Sequence, residues 1–258
     1  MEKNLSFSES TATRVRAKLT WAQFEIVSSH AAQVDVFIAG DDESVEELRV
    51  EQSENGLVIA QPQLAYAKEI LPRRHWLQIC LRLPQEFSGS LDVDTVSGAV
   101  GAHGVAGAGV SIATVSGQIN ARDVRADHLR LRTVSGALVG ADLAADRGSM
   151  RTVSGAVKAN GVSMRTAKVF TVSGEVALAL SSAGESLDMQ SVSGMLYVET
   201  DGPVRASLHS LSGQFLLDDD LLPGRGTAQE QPLIMKITAS SVSGDLTVRR
   251  NKPDANTE

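Results

Sequence analysis

A repeat of about 19 residues constrains the fold of this 258-residue chain more than any other feature. Eight Ser-Gly pairs recur, and their glycines are separated by 19, 19, 19, 19, 20, 19 and 31 residues. The repeat glycines are Gly98, Gly117, Gly136, Gly155, Gly174, Gly194, Gly213 and Gly244. The last interval equals one repeat plus 12 residues. We therefore expect an inserted loop at about 218–232, which is rich in Asp, Pro and Gly.

Three further positions of the repeat are apolar in every copy. They lie five and two residues before the glycine and two residues after it, as Met150, Val153 and Val157 do around Gly155. A position that is always apolar is expected to face a continuous core, so we predict that Val153 points inward and Lys158 outward. The residues around each glycine alternate with the period of two that is typical of a strand. Because the first two apolar positions differ in parity, we predict a bend or bulge between them.

Short repeats made of strands and turns must stack on their neighbours, because one copy cannot bury its own apolar face. We therefore predict an all-β fold, a single-stranded β-solenoid with about eight coils over residues 91–250, expected to be right-handed. Residues 1–90 lack the repeat but contain strand-like segments such as 77–83. We interpret them as an irregular N-terminal β-cap that is continuous with the solenoid and covers its open edge. Residues 251–258 are expected to form a flexible tail.

The repeat glycine has two explanations. It could point inward, where a Cβ atom would crowd the neighbouring coil, and this is the explanation we favour. The alternative is a turn that requires a positive φ angle.

The repeated Thr-Val-Ser-Gly sequence resembles the bacterial "putative adhesin" family, a domain of unknown function. The similarity includes the strand that ends at Leu83-Pro84 and the following segment 91–98, and it extends over about residues 30–250. The resemblance implies a β-solenoid, an association with the bacterial cell envelope, and no catalytic residues. It therefore implies a non-enzymatic binding or scaffold module.

A carbohydrate-active enzyme is the leading alternative, because parallel β-helices often act on polysaccharides. Such an enzyme needs two carboxylates at a set separation, for which Asp92 and Asp94 are the candidates. Their columns are not acidic in the next coil, which favours an ordinary solvated strand face. The serine before each glycine recurs eight times, whereas a catalytic serine occurs once beside its base.

No cofactor or metal site is predicted. Cys80 is the only cysteine, and the five histidines lack the spacing of metal ligands. The acidic run 218–220 is interpreted as a solvated loop rather than a cation site. A remote alternative is ice binding by stacked Thr and Ser side chains, although ladder packing explains the same columns.

The charge distribution points to an anionic partner. A net charge of −7 argues against nucleic acid. Residues 118–174, however, carry nine Lys or Arg and four Asp, whereas residues 175–230 carry two Arg and nine acidic residues. Arg132 and Arg151 share one column, and Arg130 and Lys168 share another. We predict that these four residues bind an anionic envelope polymer, a lipid surface or a protein partner, with weak salt-sensitive self-association as the alternative.

The location of the protein is left open by the sequence. No run of about 18 apolar residues is present, so no transmembrane helix is predicted. The first residues lack the apolar stretch of a signal peptide. This predicts a cytoplasmic location for the chain as it stands, or an envelope location if a leader precedes it.

Overall fold

The computed structural model describes residues 1–8, 13–53, 56–62, 75–181, 184–218, 220–222 and 235–250. This part of the chain is almost entirely β-structure. The elements are β1 (Glu2–Ser8), β2 (Arg14–Lys18), β3 (Gln23–Ser29), β4 (Gln33–Gly40), α1 (Asp42–Glu47), β5 (Arg49–Ser53), β6 (Gly56–Ala60), β7 (Leu77–Pro84), β8 (Ser90–Thr95), β9 (Val100–His103), β10 (Ala106–Thr114), β11 (Ile119–Arg132), β12 (Leu138–Arg151), β13 (Val157–Phe170), β14 (Val176–Leu180), β15 (Ser186–Gln190), β16 (Leu196–Thr200), β17 (Val204–Ser210), β18 (Phe215–Leu217), β19 (Asp220–Leu222), β20 (Met235–Ser241) and β21 (Leu246–Arg250). No helix in these ranges is long and apolar enough to cross a membrane.

Successive coils pair in parallel and place equivalent repeat positions side by side. Leu131 of β11 pairs with Met150 of β12, which pairs with Val169 of β13. All three side chains are buried in one continuous apolar core. The parallel pairing and shared columns confirm the predicted all-β solenoid.

The order of the last coils differs from the order along the sequence. Strand β21 lies between β16 and β18, and β20 lies between β15 and β17. The coil of Gly244 is therefore inserted between those of Gly194 and Gly213, out of sequence order. Strand β18 is left at the end of the stack, where it pairs antiparallel with β19. That pairing protects an edge that would otherwise be open.

The N-terminal segment continues the solenoid more regularly than predicted. Strand β2 pairs in parallel with both β6 and β8, and β3 pairs in parallel with both β7 and β9. Antiparallel pairing begins only beyond these layers, between β1 and β4, β4 and β7, and β5 and β6. An irregular cap was predicted because this segment lacks the repeat glycine; Ala22 takes the equivalent place beneath Gly98. The tail 251–258 and most of the loop 218–232 lie outside the described residues.

The prediction that the valine of the Thr-Val-Ser-Gly turn points inward is wrong, because this side chain lies on the surface. Val153 is 42% exposed, whereas the preceding Thr152 is only 1% exposed. Val172 is half-buried, and the residues at this position in the other repeats are also exposed, namely Val96, Val115, Val134, Val192, Leu211 and Val242. The inward column is instead the threonine or serine three residues before the glycine. This position has the same parity as the buried positions five and seven residues before the glycine. The change of side-chain phase therefore occurs later than predicted, in the bend of the turn that leads to the buried position two residues after the glycine.

A hydrogen bond explains why a hydroxyl residue faces the core here. Thr152 Oγ1 accepts from the backbone N–H of Gly155 at 2.9 Å, and the equivalent bond is present in all eight repeats. A buried amide without such a partner is costly, so the turn needs an acceptor at this position. Because these threonines are buried, only the serine column of the ice-binding alternative lies on the surface.

The replacement Thr152→Val tests the role of this hydroxyl. Valine keeps the β-branched shape but leaves the Gly155 amide without its acceptor, so we expect a loss of about 1–3 kcal/mol in the free energy of unfolding. Urea denaturation measures the loss. The control is Thr152→Ser, which keeps the acceptor and is the residue found in the later repeats, as at Ser191. A valine variant as stable as the wild type would contradict the proposed role.

The repeat glycines are required by close backbone approach. A Cβ atom added to any of them would lie 1.8–2.2 Å from the carbonyl oxygen of the residue below, which in most cases is the glycine of the neighbouring coil. None of the eight has a positive φ angle. The structure thus supports the close-approach explanation and not the turn-conformation alternative.

Candidate anion-binding face

The four predicted cationic residues lie on one outward surface of the solenoid. This surface, which we call the basic face, is formed by the outward side chains of segments 128–132, 147–151 and 166–170. Arg132 pairs directly with Arg151 across adjacent coils. Arg130 pairs with Ser149, which pairs with Lys168, so the two cations are two coils apart, or about 10 Å. The structure therefore has both pairs in the columns that the sequence indicated, and all four side chains are exposed.

Two further members of this face were not predicted from the sequence. His128 and Arg147 pair across β11 and β12 and are both exposed. Their column lies two residues before that of Arg130, and residues two apart on a strand share a face. The two-residue spacing from Arg130 could therefore have predicted from the sequence that His128 and Arg147 belong to this face. Arg130, Arg147 and Lys168 line a shallow groove of about 560 Å³, together with His128, Asp92, Ser111 and Thr166.

Three more cations reach the same side of the solenoid from a distant part of the sequence. Arg14, Arg16 and Lys18 of β2 pair with Ser90, Asp92 and Asp94 of β8. Because β2 belongs to the segment without the repeat, no column alignment could place them here. Asp92 and Asp94 thus form an acidic row between two groups of cations. This arrangement favours an electrostatic role for the two carboxylates over a catalytic one.

Several cations are paired with nearby carboxylates, among them Arg147 of the basic face, whose Nε lies 3.6 Å from Asp146. Arg165 binds Asp146, and its second guanidinium nitrogen lies 2.9 Å from Glu185. The hydrogen bond from Arg165 holds the pKa of Asp146 below its ordinary value. Arg125 pairs with Asp123 at 2.9 Å.

The four predicted residues differ from these cations. Among the described residues, no carboxylate lies within 4.0 Å of the charged groups of Arg130, Arg132, Arg151 or Lys168. The four charged groups are therefore not held in close ion pairs, although Asp188 pairs with Lys168 in the neighbouring strand and an acidic row, Asp92 and Asp94, lies two coils from Arg130 and Arg132. This leaves the four groups able to contact an external anion.

The other candidate residues that the structure describes lie in separate places on the solenoid. Within the described ranges, no group of three or more His, Cys, Asp and Glu side chains is placed to hold a metal ion. His75 lies beside Asp41 at 3.4 Å, and His103 lies beside Glu25 at 3.5 Å. Asp218 binds Arg250, whereas Asp219 lies outside the described residues.

Comparisons with solved structures find the same fold in proteins that are described only in general terms. A "putative adhesin" from Bacteroides fragilis has a TM-score of 0.58 at 12% identity, with 96% of this chain and 97% of that chain covered. A "putative lipid binding protein" from Parabacteroides distasonis has a TM-score of 0.50 at 18% identity, with 96% of each chain covered. At these identities the likeness shows the fold alone.

Sequence comparison provides the family. No match was found among curated proteins. The family model of the Toastrack DUF4097 domain matches residues 22–249, which is most of the chain and includes all eight repeats. The resemblance inferred from the Thr-Val-Ser-Gly repeats is thereby confirmed, and the chain belongs to the Toastrack DUF4097 family.

Proposed function

We propose that this chain is a non-enzymatic binding module of the bacterial cell envelope, and that it binds an anionic partner through the basic face. The observation that carries the proposal is the stacking of Arg130, Arg132, Arg151 and Lys168 on one surface without carboxylate partners among the described residues. The solved proteins of the same fold named as an adhesin and as a lipid-binding protein support a binding role.

The solenoid suits such binding because it holds the cations on a rigid frame. Adjacent coils are about 4.8 Å apart, so Arg132 and Arg151 can contact neighbouring anionic groups at the same time. Guanidinium groups also bind phosphate or carboxylate through two parallel hydrogen bonds. Since the strands are already ordered, little backbone entropy is lost on binding.

Reversal of the four charges tests the proposal. We expect the combined replacements Arg130→Glu, Arg132→Glu, Arg151→Glu and Lys168→Glu to weaken binding to phosphatidylglycerol vesicles by at least about a hundredfold. The reason is that each cation near an anionic surface contributes about 1 kcal/mol. Binding of the wild type to vesicles and to soluble polyphosphate should also weaken as salt rises, because exposed charges are screened over about 8 Å at physiological ionic strength. Urea denaturation checks that the variant remains folded.

Self-association is the competing explanation for the charge asymmetry. The acidic residues of the later coils could dock on the basic face of another copy, and such head-to-tail contact forms open chains unless a ring closes. Sedimentation at low and high salt distinguishes the two. A wild type that binds neither polyphosphate nor vesicles, but forms larger species at low salt, would contradict the proposal.

A further inference from the structure

The exposed edge of the Thr-Val-Ser-Gly turns forms a row of apolar side chains along the solenoid. We call this row the valine ridge, and in stacking order it contains Val96, Val115, Val134, Val153, Val172, Val192, Val242 and Leu211. All except the half-buried Val172 are exposed. At about 4.8 Å per coil, the ridge is roughly 34 Å long.

The fold does not need apolar side chains at these positions. The turn is held by the buried threonine or serine hydroxyl. Each ridge carbonyl except that of Leu211, which ends the row, accepts two backbone amides from the next coil, as Val134 does from Val153 and Ser154 at 3.1 and 2.9 Å. These bonds involve no valine side chain. The neighbouring column, one residue before the glycine, is serine in every repeat. A continuous row of exposed apolar side chains beside a polar row is typical of a surface that binds a protein or a membrane.

The valine ridge borders directly on the cations of the basic face. A groove of about 500 Å³ separates them, with Val115, Val134 and Val153 on one wall and Arg132, Arg151 and the acidic Asp94 on the other. Phe170 extends the second wall, and the Arg151 guanidinium lies 5.9 Å from its ring centre. Apolar side chains and guanidinium groups thus run side by side along the same edge.

We propose that the valine ridge is a membrane-docking edge, with the partner of the basic face being the surface of an anionic lipid bilayer. The ridge side chains enter the boundary between headgroups and acyl chains, while Arg132 and Arg151 bind lipid phosphates. This assignment rests on the proposed function, because it names the anionic partner. Because the ridge side chains stack in one row on successive coils, several of them can contact a bilayer surface together, whereas a soluble anionic polymer would use the cations and leave the ridge exposed. Interfacial binding of this kind depends both on buried apolar area and on attraction to anionic lipid.

Two variants at the same three positions test the ridge in opposite directions. The combined replacements Val115→Thr, Val134→Thr and Val153→Thr keep the β-branched shape but add a hydroxyl to each side chain. They should weaken binding to vesicles of phosphatidylglycerol and phosphatidylcholine by about tenfold, since less apolar surface leaves water. The matched replacements Val115→Ile, Val134→Ile and Val153→Ile should strengthen vesicle binding. Neither variant should change the affinity for soluble polyphosphate, because the cations are untouched. Flotation of vesicles with bound protein measures the first affinity, and titration calorimetry measures the second.

The outcomes separate this inference from the function on which it rests. If wild type and threonine variant bind vesicles equally, the ridge assignment is overturned while binding by the basic face stands. If the wild type binds polyphosphate but not vesicles, the partner is a soluble anionic polymer and the ridge assignment is again wrong. If it binds neither, the proposed function itself fails. A lower sedimentation coefficient of the threonine variant would show that a second copy covers the ridge, which also overturns the assignment.

Discussion

Gly155→Val is expected to lower the free energy of unfolding by about 3 kcal/mol or more. A Cβ atom at this position would lie 1.8 Å from the carbonyl oxygen of Gly136 and 2.8 Å from its carbonyl carbon. Because the obstacle is the backbone of the neighbouring coil, no side-chain rotation can relieve the clash. The cost should therefore lie at or beyond the upper end of the usual range for overpacking.

Gly109 of β10 provides the matched control for that replacement. A Cβ atom there would meet only the Ser90 side chain, at 3.9 Å. Gly109→Val should therefore change stability by less than about 1 kcal/mol, because no close contact is created. Urea denaturation of the two variants gives the comparison. Equal losses would mean that close approach between coils is not the reason for the repeat glycine.

Val157→Asp is the second replacement with a large expected effect. Val157 is fully buried between coils, and an aspartate there would place an unpaired charge in the apolar core. Buried charges without partners cost several kcal/mol, a large part of the stability of a typical domain. Thermal denaturation should show a strongly lowered melting temperature or no folded protein.

Val153→Asp is the control, since it introduces the same chemical change four residues earlier. Its side chain lies on the exposed valine ridge, so we expect a stability change of about 0.5 kcal/mol or less. If this variant were destabilised as strongly as Val157→Asp, the valine column would have to face the core after all.

The orientation of the turn shows where the sequence was informative and where hydrophobicity misled. The repeat glycine, the strand period and the stacking of coils all followed from spacing. The valine column was assigned to the core because it is apolar in every repeat. The correct signal was the hydroxyl residue before it, which has the same parity as Leu129 and Leu131 and supplies the acceptor for the glycine amide. The need to satisfy a buried backbone group thus outweighed side-chain hydrophobicity at this position.

The order of the last coils could not be predicted, for a different physical reason. Leu246 pairs with both Leu196 and Phe215 in the structure. All three are large apolar residues at the same repeat position, so either stacking order buries similar surface. The composition of the basic face could likewise be predicted only in part. The middle cations could be grouped by column, whereas Arg14, Arg16 and Lys18 reached the same side only through long-range pairing of β2 with β8.

We attribute binding of the anionic partner to one particular face rather than to the overall charge. The direct test compares the four reversed charges of the basic face with an equal number reversed elsewhere. The control residues are Arg82, Arg122, Arg125 and Lys158, all exposed and outside the basic face. Both variants lower the net charge by the same amount.

Binding to phosphatidylglycerol vesicles at physiological salt is the measurement. We expect the basic-face variant to lose binding by at least about a hundredfold, whereas the control variant should stay within about tenfold of the wild type. Equal losses in the two variants would contradict this, because binding would then depend on net charge alone and not on the stacked cations of the basic face.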